Sequence, residues 1–164
     1  MKTKSLIGLD EFKQAMGKLA TGVSVITTSF QNQNFGLTAS SVTSLSAEPP
    51  MLLVCVHQNT DTNKAISSSG SFAVHILHEG QENFAKRFST KMEDRFEGLE
   101  LTYGKSGVPL FSNYLVQIQC TVVQKVKAGT HTIYLGEMNH VEIKDHQPLL
   151  FFNRNFGIFK PLTK

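Results

Sequence analysis

YLVQIQCTVVQKVKAGTHTIYLGEMNHVEI, residues 114–143, carries two long strand patterns joined at a glycine. From Tyr114 to Lys127, Tyr114, Val116, Ile118, Cys120, Val122 and Val126 fall on one side, and Gln117, Gln119, Thr121, Lys125 and Lys127 on the other. A period of two is the signature of a strand with one buried and one wet face. After Ala128-Gly129 the chain returns as HTIYLGEMNHVEI, its antiparallel partner. A hairpin this long leaves an outer face free for self-association.

Working outward, MLLVCVH (51–57), after Pro49-Pro50, is apolar on both faces and reads as a central, fully covered strand. SFAVHILH (71–78), VSVITTS (23–29), Gly36 to Val42 and LLFFN (149–153) complete the strands, with a hairpin turn over Gln31–Asn34. Helices are few and short. Leu9, Phe12, Met16 and Leu19 share one helical face, with Asp10 near the start and Gly22 past the end. DTNKAISSS (61–69), ended by Gly70, and GQENFAKRF (80–88) are two more, and 89–113 reads mostly as loop. Seven or so strands, many joined as hairpins, predict a mainly β, closed or nearly closed antiparallel barrel. No repeat, linker or low-complexity tract divides residues 1–164, so a single domain is expected.

Composition narrows the function. Of 164 residues, 40% are hydrophobic and 18% charged, which suits a globular chain. Twelve Phe and no Trp predict a ring-rich core. The net charge of +3 is scattered, with Lys86-Arg87 the one adjacent basic pair, so the stripe that nucleic acid requires is missing. Cys55 and Cys120 lack CxxC spacing and read as buried thiols. MKTKSLIGLDEF contains no apolar leader, and no run approaches the ~20 apolar residues of a membrane span, which places the chain in the cytoplasm by default. His75 and His78 point to opposite strand faces, and Cys55 with His57 finds no second pair, so no metal is expected. G-x-S-x-G, Walker and G-x-G-x-x-G motifs are all absent, so a cofactor would have to sit in a barrel mouth or subunit cleft.

Four short segments could carry chemistry. Thr38-Ala39-Ser40-Ser41 reads either as a polar strand edge or as a cradle of hydroxyls against a flat ligand. Asn59 to Asn63 reads as a helix cap or as a phosphate site on that helix N-terminus, with Lys86-Arg87 as balancing cations. Gly129-Thr130-His131 places a histidine beside an apolar face, structural or functional. Asn153-Arg154-Asn155-Phe156 is a surface arginine near core rings, or a phosphate clamp.

In order, FKQAMGKLATGVSVITT, GLTASSVTSLSAEPPMLLVCV, NTDTNKAI, GSFAVHIL, FAKRF, DRFEG, GVPLF, GTHTIYLGE and PLLFFN resemble the short-chain flavin reductases. The likeness runs from about Phe12 to Phe159. It implies the Greek-key, FMN-binding split barrel, usually a homodimer, and an NAD(P)H-dependent flavin reductase of the EC 1.5.1 type. Such an enzyme passes hydride from NADH or NADPH to FMN or FAD and supplies reduced flavin to a partner monooxygenase. A tightly flavin-bound electron carrier or storage protein shares the barrel.

The resemblance places Thr38, Ala39, Ser40 and Ser41 along the flavin ring and ribityl chain, with Cys55, Val56 and His57 beside the ring. It sets Thr62, Asn63, Arg87 and Lys86 near the flavin phosphate. It puts Gly129 and His131 by the nicotinamide, with His131 orienting it, and Arg154 and Phe156 in the covering C-terminal segment. Thr130 stands where the family motif has Asp, and Phe156 where Tyr is common.

Overall fold

A computed structural model describes residues 6–163. Met1–Ser5, part of the segment read above as lacking an apolar leader, lie outside the described residues, as does Lys164. The elements run α1 (Leu9–Gly17), β1 (Thr21–Gly22), β2 (Ser24–Phe30), β3 (Gln33–Ala39), β4 (Val42–Ala47), β5 (Pro50–His57), α2 (Asp61–Ser69), β6 (Ser71–Ile76), α3 (Glu82–Ser89), β7 (Leu101–Tyr103), β8 (Pro109–Phe111), β9 (Val116–Ala128), β10 (His131–Ile143), β11 (Leu149–Phe152) and β12 (Asn155–Ile158). No described helix is long and apolar enough to cross a membrane.

Seven strands form an antiparallel sheet in the order β3-β2-β6-β9-β10-β5-β4. Its two edge strands, β3 and β4, are consecutive in the chain and joined only by Ser40 and Ser41. Two residues reach about 7 Å beyond their neighbours, so the sheet must roll until its edges meet there. The Cys55 N–H donates to the Ser41 carbonyl (3.1 Å) and holds this seam. Because β3 pairs with β2 and β4 with β5, the expected barrel is split along the rest of β3.

The barrel interior is filled by Ile26, Val54, Ile66, Phe72, Val74 and Tyr134 with their neighbours. A second cluster (Val25, Leu77, Phe88, Phe96, Phe111 and Leu149 among it) lies on the opposite face of β2, under α3, the 89–111 segment and the β11–β12 hairpin. The ring-rich core predicted from twelve Phe is concentrated in this cluster. With both faces covered, Ser24 to Thr28 are all buried. His75, wholly buried, bridges strands with Nδ1 3.3 Å from the Val25 carbonyl, and Nε2 faces the Phe111 N–H.

Several expectations shift. β5 is buried only at Leu52, Val54 and Val56; its other face is half-exposed, and β5 lies next to an edge rather than at the centre. The Gln31–Asn34 turn tightens to Gln31 and Asn32, both at positive φ (51° and 60°), as a two-residue hairpin of the mirror-image type demands. The Ser/Thr-rich run 42–47 is a strand, β4, made by pairing rather than by an apolar pattern. Segment 89–113 contains the β7–β8 hairpin. Gln117, on the side expected to be wet, is buried and donates to the Phe111 carbonyl (2.9 Å). Beyond Val122 the β9 strand is exposed on both faces. Cys120 is buried as expected, but Cys55 is half-exposed. The α1 face is the largest departure, since Phe12 is 50% and Leu19 62% exposed and no α1 residue is buried.

Candidate functional site

A cleft of about 1090 Å³ opens at the split. Every residue from Asn32 to Ser41 lines it, on both faces of β3, so it follows that strand's free edge. The Gly36 carbonyl points outward to accept from Arg95. Strand alternation therefore also turns the backbone groups of Asn34 and Thr38 toward the cleft. Opposite walls come from Cys55 and His57 at the end of β5, the Asn59–Thr62 turn into α2, His131 at the start of β10, and the 88–96 segment.

The α2 terminus is built as its sequence suggests. Thr60 is the N-cap, and its hydroxyl accepts from the Asn63 N–H (3.2 Å). Gly70 ends the helix at φ 71°. Thr62 is 3% exposed and lines the cleft, and its hydroxyl has no partner in the structure. Among the described residues no fully buried side-chain oxygen is left unpaired, so the sliver of Thr62 that meets the cleft includes its Oγ1. That orphan donor and the helix's positive end fit the phosphate of a nucleotide.

His57 and His131 pack edge to face with ring centroids 5.1 Å apart. The Asn59 N–H donates to His57 Nδ1 (3.2 Å), which leaves Nε2 to carry the proton of the neutral ring. Thr130 Oγ1 lies 2.9 Å from His131 Nδ1, so the residue in the acid's place still contacts this histidine through a hydroxyl. Gln58 Nε2 donates to the His131 carbonyl (2.8 Å) and pins the turn at Gly129, whose φ is 57°. Burial pushes the Cys55 thiol upward, which keeps it protonated and makes it a wall rather than a nucleophile.

Thr38, Ala39, Ser40, Ser41, Cys55, His57, Thr62 and His131 thus share one cleft. Thr38 does so with its hydroxyl turned away to the Ala85 carbonyl (2.5 Å). The other candidates stand outside the lining. Val56 points into the barrel core. Asn63 is buried, donating to the Val56 carbonyl (3.0 Å) and accepting from the Tyr134 hydroxyl. Arg87 is spent on the backbone carbonyls of Arg95 and Glu97. Lys86 lies 6.0 Å from the ring of Phe156, which packs against Phe151. Arg154, at φ 65°, forms the tip of the β11–β12 hairpin with Asn153.

Asn59 and Thr60 belong to the helix-start segment singled out from sequence; the lining residues missed are those of β3 before Thr38, Phe88 and the 89–96 segment, above all Arg95. The block DRFEG marks that segment, but the place of Arg95 depends on a contact 59 residues away. No group of three or more His, Cys, Asp or Glu that could hold a metal occurs among the described residues.

A family described as the flavin reductase like domain matches residues 16–160. The chain is 34% identical to the reductase component of a 4-nitrophenol 4-monooxygenase/4-nitrocatechol 2-monooxygenase of Rhodococcus opacus, over 98% of this chain and 88% of that protein. It is also 34% identical to an NADH:riboflavin 5′-phosphate oxidoreductase of Streptomyces pristinaespiralis, over 96% of this chain and 92% of the relative. The solved NADH:FAD oxidoreductase SgcE6 of Streptomyces globisporus, in complex with NAD and FAD fragments, superposes with a TM-score of 0.88 at 29% identity, covering 96% of this chain and 98% of that one.

Proposed function

The chain belongs to the flavin reductase like domain family, and from that premise we propose that it is an NAD(P)H:flavin oxidoreductase of the EC 1.5.1 type. It takes hydride from NADH or NADPH, reduces FMN or FAD, and supplies the reduced flavin to a partner monooxygenase. The observation that carries this reading is the meeting of Ser40, Ser41, Cys55, His57, Thr62 and His131 in one cleft with an orphan hydroxyl at a helix N-terminus. When bound, the flavin supplies a hydride acceptor at N5 and the reduced nicotinamide a donor at C4.

The protein's own work is to bind and align. Thr62 Oγ1 and the open N–H groups in the first turn of α2 hold the flavin phosphate. Outward N–H groups of β3 and the Ser40-Ser41 link stabilise negative charge on the pyrimidine side of the ring. His131, at the exposed rim and held by Thr130 and Gln58, orients the nicotinamide. Asn63 and Arg87 act from behind, fixing α2 and the 89–97 segment. No nucleophile and no strong acid are required, because aligned rings near contact distance do the chemistry.

We read residues 1–164 as one domain, supported by the two main apolar clusters sharing β2. A cytoplasmic homodimer is the assembly that fits. Cys55, Ile133 and Val126 are cross-strand neighbours on the outer face beside the cleft, with Leu53 two residues before Cys55 on β5; all are half-exposed to exposed, and the apolar side of α1 is also uncovered.

The test follows NADH and NADPH oxidation by purified protein, stripped of small molecules, with and without FMN or FAD. Turnover only with added flavin is expected. No oxidation under any combination would sink the reductase reading, and oxidation without added flavin would make the flavin a bound prosthetic group.

A further inference from the structure

Away from the cleft, β1, β11 and β12 form a separate three-stranded sheet, with Leu149, Phe151 and Phe156 turned onto the second apolar cluster. On the opposite face the register sets Gly22, Leu150 and Gly157 in a row across the three strands. A Cβ on either glycine would find nothing within 4 Å, so this row is uncovered. A groove of about 370 Å³ runs there, walled by Ala20, Phe152, Asn155 and Ile158, all exposed.

The helix α1 poses the complementary problem. Leu9, Phe12, Met16 and Leu19 make a stripe along it and just past its end, and all four are exposed. A helix of nine residues is marginal alone in water and owes its stability to packing, yet no α1 residue is buried. The chain does hold its last turn. The Asn153 N–H donates to the Gly17 carbonyl (2.7 Å), and Lys18 Nζ donates to Asn153 Oδ1 (3.4 Å). Three residues, Lys18 to Ala20, then lead into β1. Tied in this way to the tip of the β11–β12 hairpin, α1 cannot turn back over its own glycine row without giving up those contacts.

Ridge and groove match in size. Three strands span about 10 Å between the outer two, and a helix with its side chains is about 10–12 Å across, so one helix covers the sheet. Glycines in the floor let it approach closely. The charges match as well. Asp10 and Glu11 lie exposed in the first turn of α1, while Arg154 at the hairpin tip and Lys160 beyond β12 are exposed cations. The ion pairs among the described residues, Lys64–Asp61 and His140–Glu142, include none of these four. We propose that α1 of one copy packs into the groove of a second copy and that its own groove receives the second copy's α1 in return. Such an exchange about a two-fold axis covers both bare surfaces in one closed contact. It sets Asp10 and Glu11 against the partner's Arg154 and the partner's Lys160. The inference rests on the homodimer reading and adds to it a contact separate from the sheet face at Ile133.

The chain contains no Trp, so Met16→Trp places a single indole on the exposed stripe. Its emission should be blue-shifted in the dimer and move to the red on dilution to monomer. Phe12→Asp spoils the ridge and Gly157→Glu fills the groove; both positions are open in the single chain, and circular dichroism checks that each variant folds. Each should weaken dimerisation about tenfold or more by sedimentation, as loss of an interface anchor predicts. Adding Gly157→Glu to Met16→Trp should shift the emission to the red at concentrations where the parent is dimeric. Red emission in the dimer, or a dimer affinity untouched by both variants, overturns the exchange and leaves the homodimer reading standing. Blue emission that ignores concentration means that α1 closes on its own groove, which also overturns it. A wild type that stays monomeric overturns the homodimer reading and the exchange together.

Discussion

Thr62 shows how much a single side chain can disclose. Thr60, Asp61 and Thr62 already mark a helix start in the sequence, and the phosphate alternative comes from the same residues. Only the folded chain separates their jobs: Thr60 caps α2, while Thr62 keeps an unpaired hydroxyl at the cleft. Thr62→Val is expected to weaken FMN binding by about tenfold or more, the worth of one hydrogen bond to a charged group, with Thr62→Ser restoring it; flavin fluorescence titration reads both. His131→Ala should lower kcat/KM for NADH by about 10²-fold, the cost of misaligned reactants. Flavin affinity should hold, and its loss would show that His131 belongs to the flavin site instead. Arg95 was illegible beforehand because an arginine in a polar segment reads as solvated. Its role arises from acceptors on Thr90 and Gly36 that only folding brings to it.

At the scale of elements, the β9–β10 hairpin was the most legible part, since a period-two pattern this long admits no helix. Its irregularities were not legible. A register shift falls at Leu135/Gly136, where a Cβ on Gly136 would lie 2.6 Å from Phe72 Cζ and 2.9 Å from Cys120 Cβ. Gly136→Ala should therefore cost about 1–3 kcal/mol through overpacking, read as a lower urea midpoint. Tyr134, two residues before Gly136 and wholly buried, sends its hydroxyl to the Asn63 carbonyl (2.9 Å) and joins the barrel core to α2. β4 escaped notice for the opposite reason: its Ser/Thr-rich residues have no apolar rhythm and become a strand by pairing with β5.

The whole molecule adds two expectations. Burial of His75 drives its pKa from 6.5 down to about 3, against the raising effect of the Val25 carbonyl. The unfolded chain then binds more protons than the folded one between those values, so stability is full above about pH 6.5 and declines as pH falls toward 3. Urea unfolding between pH 7 and 4 should show this slope, and His75→Gln should flatten it by one proton's share. The second expectation concerns assembly. Ile133 shares the outer sheet face with Cys55 and Val126, the latter 41% exposed. Ile133→Lys should convert a dimer to a monomer by light scattering, and an unchanged mass would place any interface elsewhere.

Local patterning by itself determined the β-rich class, the hairpins and the α2 cap. Each depends on residues a few positions apart, and the ordered blocks along the chain carried the family. Tertiary structure decided where the barrel splits, because that depends on edge strands β3 and β4 meeting across only Ser40 and Ser41. It also withdrew Asn63, Arg87 and Val56 from the cleft wall and put Arg95 there. Which way a polar side chain is spent is settled by partners distant in sequence, and no local spacing records them.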